Sequence, residues 1–438
     1  MGAGFGPQLY SAPVPLPGAS DADSDTFSLG GLFTGRAKRE IASLTTPSMD
    51  PEELAPCVDK EPGARRTGYR ALAIGTGLAA LAVVLLIFSS PDPSAEVMLL
   101  MAGVLQVAPF VLLALVAYLA EDTRSLRFLA VVLLVGVVGA LVLVSFGLGV
   151  IAIIPPASLE TGSLPPGIEP AVLALLGLGA LFGLVSFTGL LPLARRGAAR
   201  VLPVDPGSFI HGIAFVVVLA LCLIPLVPLI VNGAPPLLSP NILESGVFDQ
   251  ESGELARSQV YSLLFIIYGS FLAVGLFVRR NFAEALERLA FVWPTGRQVV
   301  FALSMAVTLV VAFVFIDRGI AAIWQALGWP VTDEAAYGRL FAGMLTPVGA
   351  ITAAVSAGVG EELAVRGVLQ PAFGMLLPSL VFAALHAWQY SWDGLVSVFL
   401  AGLAFAWIRR RANTTTSAIT HAVYDLILFA VLALGMTT

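Results

Sequence analysis

The sequence predicts an all-α fold: a polytopic transmembrane helical bundle of about eleven spans, preceded by a disordered N-terminal tail. Composition is the first reason. Hydrophobic residues make up 58% of the 438 residues and charged residues 12%, against about 25% charged in soluble domains. The second is length: from Tyr69 onward, apolar runs long enough to cross a bilayer follow one another. The third is the placement of arginine, which alternates from one inter-span loop to the next.

Residues 1–68 are rich in Pro, Gly, Ser and Asp and carry no sustained periodicity, the signature of a chain that cannot bury enough apolar surface to order itself. Within them "FTGRAKREIASL" is expected to turn helical only against a partner or lipid headgroups. Spans are expected near 70–89, 97–120, 127–154, 170–194, 208–231, 259–278, 298–316, 340–362, 377–390, 394–408 and 416–436. The ninth is short. "AAIWQALGW" (321–329) is too short to cross and is expected to lie in the interface. "RAKRE", "ARRTGYR", "EDTRSLR", "ARRGAAR", "VRRNFAEALER" and "RRRAN" all fall on one side of these spans. The opposite loops "SSPDPSAE", "PPASLETGSLPPGIE" and "NGAPPLLSPNILESGVFDQESGELA" contain no Lys or Arg. By the positive-inside rule the N-terminus is cytoplasmic and the C-terminus outside.

Other signals are negative. The start shows no basic region followed by an apolar one, so no cleavable signal peptide is expected. Cys57 and Cys222 make neither a disulfide framework nor a CxxC metal site. The net charge of −6 says little about partners, because much of the acidity lies in the tail. No internal repeat of the transporter kind is visible.

Chemistry concentrates in the last hundred residues. There the acids are Glu361, Glu362, Asp393 and Asp425, and the bases are Arg366 and the loop triplet Arg409–Arg411. His386 and His421 are two of the three histidines in the chain. A charge at the centre of a bilayer helix costs at least ~2.5–3.5 kcal/mol, so each buried one needs a partner or a task. Glu362 and Arg366 are spaced i, i+4 and can pair on one face, while Glu361 points elsewhere around the helix. A turn near Gly374 would place Glu361, 13 residues before it, level with His386, 12 after. His421 and Asp425 share a face about two turns in from the arginine loop. Three helices can thus present carboxylates and imidazoles to one cavity in the cytoplasmic half. A carboxylate and a histidine sharing a water make a general base, and a second histidine can hold an oxyanion. The same groups suit a zinc ion that acidifies a bound water. No serine or cysteine nucleophile with a paired base is evident, so hydrolysis by activated water fits.

"EELAVR" (361–366), "FAALH" (382–386) and "HAVYD" (421–425) resemble the EExxxR, FxxxH and HxxxN/D motifs of the CPBP family. That family comprises type II CAAX prenyl endopeptidases and bacteriocin-processing or abortive-infection-like proteins. The motifs stand in family order, and the resemblance covers roughly residues 300–438. It implies a helical intramembrane endopeptidase in which Glu361 activates water and His386 holds it. Glu362 and Arg366 would support the site, and His421 with Asp425 would bind the oxyanion or a metal. Phe382 would be a cavity wall touching substrate. Asp425 stands where many members have Asn. An ionised Asp cannot donate to an oxyanion, so it needs a proton, a metal, or a role orienting His421. The resemblance leaves open whether the chemistry needs no cofactor or a zinc held by Glu361, His386 and His421.

Three regions are therefore expected: the tail (1–68), an N-terminal transmembrane region (69–297) and a CPBP-like protease core (298–438). The expected partners are membrane lipids and a membrane-anchored or lipidated protein or peptide substrate, with no nucleic acid. A non-catalytic scaffold of the same fold is the alternative, and a proton-coupled transporter a weaker third. The remaining histidine, His211, has no acidic company in sequence and is expected in a structural role.

Overall fold

The computed structural model describes residues 93–155, 165–245 and 252–434, together with Leu85 and Ser158. All of them belong to one unit, Glu61–Thr438. The expected tail, and the first expected span apart from Leu85, lie outside the described residues. Among those described there is no β-strand, and nine helices are long and apolar enough to cross a membrane.

In chain order the main helices are α1 (Pro93–Asp122), α2 (Arg124–Ile153), α3 (Glu169–Ser186), α4 (Phe209–Asn232), α5 (Ser252–Ala273), the short α6 (Phe282–Leu289), α7 (Gly296–Ala326), α8 (Pro347–Phe373), α9 (Leu376–Leu385), α10 (Trp392–Arg411) and α11 (Thr414–Ala433). Ten of the eleven expected spans correspond to these helices, with α9 the short one. Their starts are written locally. Thr295 and Gln298 form a capping box at α7, and Asn281 and Glu284 form another at α6. Thr346 caps α8 with Pro347 at the first helical position. Asn413 caps α11 through the Thr416 amide.

Two boundaries differ from expectation. The interfacial segment expected at 321–329 does not exist as a separate element, because α7 runs unbroken through Asp317 and Arg318 to Ala326. Asp317 accepts a hydrogen bond from Ser397 on α10, which lets the charge remain within the helix. The eighth span is displaced towards the C-terminus: residues 334–340 form a separate short helix, and α8 starts at Pro347 and ends at Phe373. Gly374 then turns the chain at φ +69°, a conformation that favours glycine, and α9 returns. Arg366 lies eight positions before Gly374 and Phe382 eight after it. The guanidinium sits 4.5 Å from the Phe382 ring centre, so the hairpin has the register expected around Gly374.

Helices α1, α2 and α4 enclose an apolar core through Leu113, Ala117, Leu134, Val137, Val138, Val216 and Ile224. A second core joins α4 to α9 through Val218, Phe215, Phe373 and Val381. α5 packs on both α1 and α8, and α11 packs on α7 and α8, which leaves α8 enclosed on several sides. Large apolar side chains such as Phe128 and Phe315 point outward, as lipid-facing surface requires.

An ion cluster far apart in sequence joins α1 to α5. Glu96, 1% exposed, receives Arg257 Nε at 2.8 Å and the Tyr261 hydroxyl. Removing one partner of a buried pair costs about 3–5 kcal/mol. Arg257 is 24% exposed, so Glu96→Ala is expected to destabilise by less than that range. The check is the unfolding midpoint in detergent: it should fall clearly for Glu96→Ala and much less for Glu169→Ala at the exposed start of α3.

Candidate active site

The centre of α8 is not an α-helix. Residues Ser356–Leu369 form a π-helix, hydrogen-bonded i to i+5, and carry the whole of "EELAVR". π turns are rare and concentrate at functional sites. Here the wider turn is sustained over 14 residues. Close contact with α11 accompanies it: a Cβ on Gly358 would lie 2.5 Å from the Ala422 amide nitrogen and 2.7 Å from its Cα, so only glycine lets these backbones meet.

The two adjacent glutamates have different surroundings. Glu362 is fully buried, and both its oxygens are engaged. Oε1 stands 3.2 Å from Arg366 Nη1 and 3.2 Å from His421 Nδ1, while Oε2 accepts from the Ser417 hydroxyl at 2.6 Å. Arg366 is also fully buried. Its Nη2 donates to the Gly402 carbonyl at 3.0 Å, and its guanidinium lies over the rings of Phe382 and, at 5.7 Å, Phe405. Glu361, by contrast, is half-buried, and its Oε2 is buried without a hydrogen-bond partner. It is near enough to Arg366, His421 and Asp425 to act on their charges.

The histidines differ in the same way. His386 Nδ1 donates to the Phe382 carbonyl at 2.7 Å, since that oxygen can only accept. With Nδ1 so used, Nε2 is the nitrogen left to engage a water or a substrate. His421 is held at both nitrogens, by Glu362 at Nδ1 and by Asp425 Oδ2 at 3.4 Å from Nε2, with its ring stacked on Phe405 at 4.4 Å. The structure therefore joins Glu362, Arg366, Phe382, His421 and Asp425 in one contact network. Glu361 lies at its edge, and His386 touches it through Phe382, whose ring centre is 4.7 Å from the imidazole.

Three members escaped the sequence reading. Ser417 lies one turn before His421 on the face that also carries Asp425, so the 417/421/425 spacing was a usable signal. Phe405 and the Gly402 carbonyl carry no such mark. Asp393, unassigned from sequence, holds the Thr332 amide and hydroxyl and so fastens the α7–α8 connection to the start of α10. His211 accepts from the Asp205 amide at 2.8 Å, a structural role as expected.

A catalytic zinc needs three protein ligands and an open position. Both nitrogens of His421 face carboxylates, and among the described residues no three His, Cys, Asp or Glu side chains are grouped to hold a metal ion. The donor set as arranged does not fit that metal.

Residues 343–427 match the family model Type II CAAX prenyl endopeptidase Rce1-like. Over this segment the chain is similar to that family, consistent with the CPBP resemblance. The match spans about a fifth of the chain, narrower than the resemblance read from sequence, yet it contains all three motifs. With the apolar helices it marks an integral membrane protein. No curated protein and no solved structure matches the chain.

Gly358→Ala is expected to force α8 from α11 and pull His421 away from Glu362. Overpacking of this kind costs about 1–3 kcal/mol. Gly319→Ala, on α7 with open space around it, is the control. A lowered unfolding midpoint for the first and an unchanged one for the second would bear this out.

Proposed function

We propose that the chain is an intramembrane endopeptidase that hydrolyses a peptide bond of a membrane-anchored or lipidated protein. The observation that carries this reading is the contrast between neighbouring glutamates: Glu362 is saturated by partners, while Glu361 keeps a buried carboxylate oxygen with none. A buried polar atom left unpaired costs about 1–3 kcal/mol, and more if charged. Such a cost is understandable where the atom serves a substrate or a water.

In this mechanism a water lies between Glu361 and His386 Nε2. Glu361 takes its proton as the oxygen attacks the scissile carbonyl. The His421 Nε2 hydrogen, directed to the Asp425 side, is shared with the developing oxyanion there, and Asp425 with Glu362 keeps the ring oriented. The proton on Glu361 passes to the leaving amine, the C–N bond breaks, and a carboxyl and an amine result. Glu362 and Arg366 touch no substrate and act as positioning residues. Phe382 forms the cavity wall between His386 and Arg366. No step runs through a metal. Residues 298–438 form the protease core, 69–297 an accessory membrane region and 1–68 a tail, with the N-terminus on the cytoplasmic side.

Glu361→Gln should therefore lower cleavage of a lipid-anchored reporter peptide by about 10²–10⁴, the usual contribution of a general base, with the unfolding midpoint unchanged or raised. Glu362→Gln should lower the midpoint, since an uncompensated buried cation costs about 3–5 kcal/mol. Product masses and thermal unfolding of the same preparations check both. Full cleavage by Glu361→Gln would refute the assignment. Cleavage by the purified wild type is expected to survive dialysis against a strong chelator, and its loss with recovery on zinc addition would overturn the metal-free route.

A further inference from the structure

A second charged cluster takes no part in this chemistry. Arg280 follows α5, Arg288 lies on α6 and Arg409 lies near the end of α10. Burial first, then the charges of nearby Arg280 and Arg409, push the Arg288 guanidinium down to about 10. The hydrogen bonds found for them end on backbone carbonyls. Arg280 donates to Val274, and Arg288 donates to Gly367 at 2.9 Å and Val368 at 3.3 Å. Arg409 Nε is buried with no hydrogen-bond partner. Among the described residues none of the three is in an ion pair. The neighbouring carboxylates are used elsewhere: Glu121 pairs with Arg279, and Glu284 caps α6. Three guanidinium groups gathered without a carboxylate repel one another until an anion joins them, and their planar forks match phosphate oxygens.

An apolar groove begins beside this cluster. It encloses about 600 Å³ and is lined by Leu286, Phe291, Val292, Trp293, Pro294 and Thr415. Thr414 and Thr415, just past the Arg409–Arg411 end of α10, donate their hydroxyls to the carbonyls of Leu289 and Val292, so the segment that follows Arg288 and lines the groove meets the end of α10. Trp293 is 94% exposed, as befits a tryptophan at a membrane–water boundary. Cations next to an apolar slot complement one kind of molecule, with an anionic head and an apolar tail.

We propose that Arg280, Arg288 and Arg409 hold the phosphate of an anionic phospholipid whose acyl chain lies in this groove. Arg288 transmits the binding inward, because the carbonyls it holds belong to the π segment immediately after Arg366. A bound lipid thus steadies the segment that carries both glutamates. The proposal stands on the cluster and groove alone and does not require peptidase activity.

The test uses full-length protein in nanodiscs of phosphatidylcholine, with or without phosphatidylglycerol, and native mass spectrometry to count retained lipids. One phosphatidylglycerol should stay bound at activation energies that strip phosphatidylcholine. Retention should fall at least tenfold in Arg409→Gln and Arg280→Gln. It should fall equally in Val292→Asp, which alters the groove and spares the arginines. Arg410→Gln, an exposed charge at the same end of α10, should retain the lipid, and millimolar inorganic phosphate should not displace it. Equal retention of the two lipids, equal loss in Arg410→Gln, or displacement by inorganic phosphate would each overturn the proposal.

Discussion

The structure depends on one interaction: the pairing of Glu362 with Arg366 and His421 in a site from which water and lipid are both excluded. A buried carboxylate of this kind persists only when each oxygen has a partner, because desolvation exceeds what a single ion pair returns. Three helices supply the partners. α8 gives Glu362 and Arg366, α10 gives the Gly402 carbonyl, and α11 gives Ser417 and His421. The rings of Phe382 and Phe405 close over the guanidinium and add cation–π attraction where no solvent competes. Satisfying one carboxylate therefore fixes the spacing of the helices around it, and Gly358 provides the close approach that this spacing demands.

The π turn connects this constraint to chemistry. Glu361 and Glu362 are sequence neighbours on a widened helix, so one can be committed to the interior while the other faces a different environment. The same division separates His421, held by carboxylates at both nitrogens, from His386, held at one. The Glu362 carboxylate, with a partner at each oxygen, anchors the segment on which Glu361 keeps one oxygen without a partner.

Much of this was legible in the sequence because a membrane makes charge scarce. Apolar length marked the helices, and Gly374 with its flanking prolines marked the hairpin. The few ionisable residues near the C-terminus marked the candidate site, and five of them, Glu362, Arg366, His421, Asp425 and the edge residue Glu361, lie close together. What stayed hidden depended on contacts distant along the chain. Glu96 meets Arg257 and Tyr261 across more than 160 residues, and neither stretch signals the other. Asp317 and Arg318 read as the end of a span because Ser397, which lets α7 continue, belongs to α10. The π-helix leaves no mark in residue types at all, since i→i+4 and i→i+5 bonding use the same backbone groups. Its Gly358, Gly360 and Gly367 are clear only in hindsight, from what they approach.

Helices α1–α4 hold none of the proposed chemistry, but α4 backs α9, and α1 backs α5, which in turn packs on the π segment. The claim on which the account rests is that Glu361 activates water to cut a membrane-anchored protein. The most direct measurement compares protein C-termini in membranes of cells carrying wild type or Glu361→Gln at matched expression, by mass spectrometry. The account predicts that a defined set of new C-termini present with wild type is absent with the variant, its full-length precursors accumulating instead. Identical C-termini in both, alongside a phenotype that still requires the protein, would contradict it and favour a non-catalytic scaffold in which the glutamate is structural.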